Sequence, residues 1–138
     1  MNDTLPSQTV SVPIAAPPGH VYEFAGNPLN LPAWAPRFAL SVRRDADRWL
    51  VQTPYGPVEI EFAPDNELGV LDHSLTLPSG VTIFNAMRVI ANADGSEVMI
   101  TTFRLPGMTE EQHRAHIEIL RNELWTLKRI LEEREQGC

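Results

Sequence analysis

The chain has 138 residues, 43% of them hydrophobic and 21% charged, which is the composition of one globular domain and excludes a disordered or fibrous chain. A formal net charge of -7 argues against nucleic-acid partners, because phosphate contacts need a clustered basic surface. The single cysteine, Cys138, excludes an internal disulfide and a cysteine-based zinc site.

Residues 1–7 are polar and read as a flexible lead into the first strand, with neither the basic nor the apolar stretch of a secretory signal. No apolar run approaches the roughly 20 residues that cross a bilayer. The expectation is a cytoplasmic protein, in keeping with the lack of a disulfide framework.

Val10, Val12 and Ile14 alternate with polar or proline positions and predict a half-buried strand. Pro17-Pro18 ends it and opens a short helix whose apolar side is Val21, Tyr22, Phe24 and Ala25. Asn27-Pro28 breaks that helix, and a second short segment carries Leu29, Leu31 and Trp34 to Pro36. Four strand-like runs follow: Phe38-Leu40-Val42, then Trp49 and Val51 after a turn at 45–47, then Val58-Ile60-Phe62, then Leu71-Leu75-Leu77 interrupted by His73. Their close spacing predicts antiparallel hairpins. Two longer strands, 81–91 and 97–105, are joined by Asn92-Ala93-Asp94-Gly95, where Asp-Gly is a hairpin signal because glycine tolerates positive φ. Ile83, Asn85, Met87 and Val89 are assigned inward on the first, and Met99, Thr101, Phe103 and Leu105 on the second.

Pro106-Gly107 ends the sheet, and Thr109-Glu110-Glu111-Gln112 has the form of a capping box. Ile117, Leu120, Leu124, Leu127 and Leu131 then recur at steps of three and four, which predicts one helix over about 109–135 with an apolar stripe. Such a stripe needs a surface, and the sheet's inner face is the one available. The fold class is therefore α+β: a curved antiparallel sheet of six to seven strands around a long C-terminal helix, in one domain over 1–138.

Several short segments carry a family likeness: Gly69-Val70-Leu71-Asp72-His73, Met87-Arg88-Val89, Asp94-Gly95-Ser96-Glu97-Val98, Phe103-Arg104-Leu105-Pro106-Gly107-Met108, and Leu124 to Glu132. With the element order they resemble a bacterial branch of the SRPBCC superfamily, the START-related and birch-pollen-allergen-like helix-grip proteins that include the polyketide cyclase/dehydrase and lipid-transport group. That resemblance implies a cavity between sheet and long helix, and no shared catalytic signature.

His73 is the sharpest candidate for chemistry, since its inward place in the alternation would give the cavity a ring able to exchange a proton near neutral pH. The plainer reading is a histidine hydrogen-bonded to a neighbouring strand. Asp72 points to the opposite face, so the two form no simple dyad. Trp34, Phe38, Trp49, Met87 and Phe103 supply large apolar walls, and Asn85 and Thr101 supply polar groups that could orient a ligand. Met108, His113, His116, Ile117 and Leu120 place the first turns of the long helix at the pocket's wall and mouth. His113 and His116 with His73 lack a metal-binding motif, and neither metal nor cofactor is expected.

Trp125 lies off the stripe and marks a possible homodimer contact. The favoured function is binding of an apolar or aromatic small molecule, lipid or polyketide-like. The alternatives are a cyclase or dehydratase using His73, and a protein-interaction module of the chaperone-ATPase-activator type. Membrane insertion is not expected.

Overall fold

The computed structural model describes residues 4–136. Strand β1 (Ser7–Ile14) is followed by helix α1 (Pro18–Ala25), a 3-10 turn (Pro28–Asn30) and helix α2 (Leu31–Trp34). Six strands then run in sequence: β2 (Ser41–Asp45), β3 (Arg48–Thr53), β4 (Gly56–Phe62), β5 (His73–Thr76), β6 (Thr82–Asn92) and β7 (Gly95–Phe103). Helix α3 (Glu110–Gln136) completes the fold. All pairings are antiparallel in one seven-stranded sheet of order β1-β7-β6-β5-β4-β3-β2, so the first strand closes on the last.

Helix α3 begins at the capping box. The Gln112 N–H donates to Thr109 Oγ1 at 3.0 Å, and the Thr109 N–H donates to Gln112 Oε1 at 2.9 Å. Replacing Thr109 by Ala leaves an end-of-helix amide without its acceptor and is expected to lose about 1 kcal/mol, read from urea unfolding. The stripe is then buried as spaced, with Leu120, Leu124, Leu127 and Leu131 all in the core. Its main packing partners are β1, β7, α1 and α2 rather than the central strands β4 to β6. At the C-terminal end, Lys128 Nζ donates to Pro13 O at 2.7 Å and Glu132 Oε2 accepts from the Ala15 N–H at 2.9 Å, which pins α3 to the end of β1. The Arg134 guanidinium lies 4.6 Å from the centre of the Phe24 ring, tying the same end to α1.

Four sequence expectations are corrected. The inner face of β7 is Val98, Ile100 and Thr102; Met99, Thr101 and Phe103 face outward. The β6–β7 loop is the two residues Ala93 and Asp94, so odd-numbered positions of β6 oppose even-numbered positions of β7: Val89 faces Val98 and Met87 faces Ile100. Directly opposed residues share a face, and the inward Asn85, Met87 and Val89 therefore bring the even set of β7 inward. Thr101 instead hydrogen-bonds Thr9 on the outer surface at 2.7 Å, and Phe103 is exposed.

The left-handed residue of that turn is Ala93 (φ 52°), not Gly95. Gly95 is needed for close approach, because a Cβ there would stand 2.7 Å from Ile14 O. The Phe38–Val42 run is also not a continuous strand. Ala35 O accepts from both Phe38 N and Ala39 N, so a turn carries the chain to Leu40 and β2 begins at Ser41. At the N-terminus the expected flexible lead covers 1–7, yet Ser7 is already paired with Phe103 and Pro6 O accepts from Arg104 N at 2.9 Å. Residues 1–3 and Cys138 lie outside the described residues.

Candidate functional site

The segment Gly69 to His73 builds the centre of the site. Asn66 shapes the approach: its Oδ1 accepts from the Leu68 and Val70 amides, and its Nδ2 donates to Pro64 O and Val70 O. Gly69 (φ +75°) then passes directly against Val89, whose N–H donates to Gly69 O at 2.9 Å. Asp72 accepts from Arg88 at both carboxylate oxygens, at 3.0 and 2.8 Å, and from the Met87 N–H at 2.9 Å. Those donors, the Arg88 guanidinium foremost, hold the Asp72 carboxyl below its ordinary pKa. Arg88 thus finds its partner on the approach to β5. With Asp72 anchored outward, alternation turns His73 inward.

His73 is buried, opposite Phe62 on β4 and Asn85 on β6. Its Nδ1 lies 2.9 Å from Leu71 O, which can only accept, so Nδ1 carries the proton. Nε2 is then the acceptor and meets Asn85 Nδ2 at 3.4 Å. The ring also packs on Phe62, with centroids 5.1 Å apart. Burial pulls the imidazole pKa below its ordinary value, outweighing the Leu71 hydrogen bond and the nearby Asp72 charge, and the ring is neutral.

Around this pair the sequence-derived candidates separate. Trp34, Met87, His113 and Leu120 are buried, while Phe38, Trp49, Met108, His116 and Ile117 are partly buried. Phe38, Val42, Trp49, Phe62, Leu75 and Ile117 form a half-covered apolar fringe on the core. Thr101 and Phe103 leave the site, and Thr102 takes the inner position. His113 and His116 are near enough to interact: burial, then the His113 charge, lowers the His116 pKa. Among the described residues no group of three or more metal-ligating side chains comes together. Trp125 is exposed, with Lys128 Nζ 5.7 Å from its ring centre.

A cleft of about 410 Å³ opens where the α1–α2 connector crosses the ends of β3 and β4. Trp49, Ile60 and Phe62 form its apolar side; Arg48, Glu59, Glu61 and Asp65 form its polar rim. Phe62, whose ring also packs on His73, lies in its wall on the connector side; from sequence a mouth is expected at the first turns of α3.

Among the described residues, three buried side-chain polar atoms have no hydrogen-bond partner: Trp34 Nε1, Asn85 Oδ1 and His113 Nε2. All belong to residues of the buried interior, on α2, β6 and α3 respectively. A further residue has no place among the sequence-derived candidates. Glu123, half-buried, shares the α3 flank of His116 and Leu127 and forms no ion pair among the described residues, and burial pushes its pKa up to about 7. Glutamate in a helix reads as surface; the signal that could have found it is its spacing, three residues from Leu120 and four from Leu127.

No family model matches the chain, and no curated protein does. Solved structures do. XoxI from Bacillus cereus aligns with a TM-score of 0.72 at 18% identity, over 94% of this chain and 97% of that one. Ara h 8.0201 aligns at 0.70 and 14% identity, over 93% and 98%. DynU16, a protein of the dynemicin biosynthetic locus, aligns at 0.70 and 18% identity, over 91% of this chain and 47% of that one. At such identities the likeness is one of fold. The chain shares the helix-grip fold of these structures. No helix among the described residues is long and apolar enough to cross a membrane.

Proposed function

We propose that this chain binds an apolar small molecule, aromatic or of lipid or polyketide type, between the sheet and α3. The observation that carries the reading is the set of three partnerless buried polar atoms. Each unmade hydrogen bond costs about 1–3 kcal/mol, and native interiors rarely tolerate several without a reason. A bound molecule with a few polar groups would satisfy them while its apolar body covers Phe38, Trp49, Phe62, Leu75 and Ile117. The cleft at Trp49 and Phe62 offers it a way in. A structural neighbour from a biosynthetic locus is in keeping with such a ligand.

Binding is favoured over cyclase or dehydratase chemistry because both ring nitrogens of His73 are engaged and burial keeps the ring neutral. Native mass spectrometry of protein purified without denaturant is expected to show a discrete small-molecule adduct. Stripped protein is expected to take up 2-naphthol, read by calorimetry. A protein that carries nothing and takes up nothing would overturn the reading.

A further inference from the structure

We infer that Asn85 is the specificity-determining residue of this site and selects a neutral ligand that points a hydroxyl donor, phenolic or enolic, at β6. The inference rests on the binding reading above and adds a chemical sign to it.

The sign follows from a chain of three groups. Leu71 N–H is committed to Met87 O at 2.8 Å, which fixes the Leu71 peptide against β6. Its carbonyl therefore presents a stationary acceptor to His73 Nδ1 at 2.9 Å. An N–H must occupy Nδ1, and the neutral ring then has only a lone pair at Nε2. Facing a lone pair, Asn85 must turn its NH₂ toward His73, as the 3.4 Å contact has it. The reverse orientation would set two acceptors against each other. The amide oxygen is thereby forced the other way, and Asn85 Oδ1 is one of the buried atoms without a partner.

His73 is accordingly a positioning residue, acting on the ligand through Asn85. An orphan acceptor calls for a donor, and a ligand ether or ketone placed there would leave it unpaired. Charge is settled separately. Among the described residues the buried polar ones are Thr53, His73, Asn85, Ser96, Thr102 and His113, and they include no lysine or arginine. A ligand carboxylate would be desolvated without a counter-charge.

The test uses naphthalene, 2-naphthol and 2-methoxynaphthalene, which share the ring system and differ in donor capacity. By calorimetry the wild-type chain is expected to bind 2-naphthol roughly ten-fold or more tightly than the methyl ether. Asn85→Leu should bring the two within about two-fold. His73→Phe keeps the aromatic packing on Phe62 but frees the amide to turn, and it too should erase the preference. Equal binding of naphthol and ether by the wild type would overturn the inference while leaving the binding reading intact. If not even naphthalene binds, that reading falls and takes the inference with it. Should the variants fail to fold, the nitrogen-15 spectrum of the wild-type imidazole decides: a proton on Nδ1 is expected, and one on Nε2 would reverse the amide and refute the selection rule.

Discussion

Gly69→Ala is expected to lose about 3–5 kcal/mol of stability and lower Tm by on the order of 10 °C, the largest effect of any glycine-to-alanine change among the described residues. Two separate penalties combine. At φ +75° a Cβ costs about 1–2 kcal/mol from its own carbonyl contacts. That Cβ would also stand 2.1 Å from Val89 O and 3.2 Å from Val89 Cγ1, and backbone atoms of a central strand cannot rotate aside as a side-chain end can. Relief means moving the 69–72 segment off β6, which breaks the Val89 N–H to Gly69 O bond and strains the Asp72–Arg88 pair. Gly19 supplies the contrast. It lies in α1 with nothing within 4 Å of an added Cβ, so Gly19→Ala should be neutral or stabilising by up to roughly 1 kcal/mol. Urea unfolding and thermal melts of both variants check this; a Gly69→Ala loss below about 1 kcal/mol would mean that the segment is not held as described.

This segment also shows what was legible in the sequence and what was not. The strand alternation located His73 facing inward and Asp72 facing outward, because a pleated backbone leaves no other choice. It could not reveal that Asp72 receives Arg88, nor that Leu71 O sets the tautomer of His73, since both depend on register between strands. The long helix was legible throughout. Its cap and its stripe are local patterns, written within one element. The error at β7 arose where apolar residues occupy both faces, so periodicity was ambiguous and the decision passed to the turn. A loop of two or four residues sets odd positions of β6 against even positions of β7, so the two odd-numbered sets assigned inward could not both face the core. The first strand held the remedy: Val10, Val12 and Ile14 are unambiguous, and they lie on β7 with Val10 opposite Ile100. That pairing joins the chain's first strand to its last, and no local pattern announces it. The cleft is not legible in the sequence for the same reason, since the connector Gly26–Pro28 meets β3 and β4 only in the folded chain.

Glu123→Gln is expected to stabilise the protein at pH 8, by up to about 3 kcal/mol, and to leave stability at pH 4 nearly unchanged. Burial raises the Glu123 pKa from 4.5 to about 7, so between those values the folded chain holds a proton that the unfolded chain releases. Folding is then linked to proton uptake, and stability falls as pH rises through this window. Above it the penalty is complete, because a carboxylate must be held on the α3 flank without a counter-charge. A glutamine keeps the shape and abolishes the titration. His73 and His116 act in the opposite sense. Their pKa values are lowered by burial, so their neutral forms favour the fold above pH 6.5 and that contribution is lost as pH falls through their folded values. The Gln variant keeps both histidines, so the difference between the two proteins isolates Glu123. Urea unfolding at half-unit pH intervals should show the gap between the Gln variant and the wild type widening from pH 4.5 to about 7 and staying constant above. Parallel curves for the two proteins would show that Glu123 titrates at its ordinary value and that α3 does not bury it.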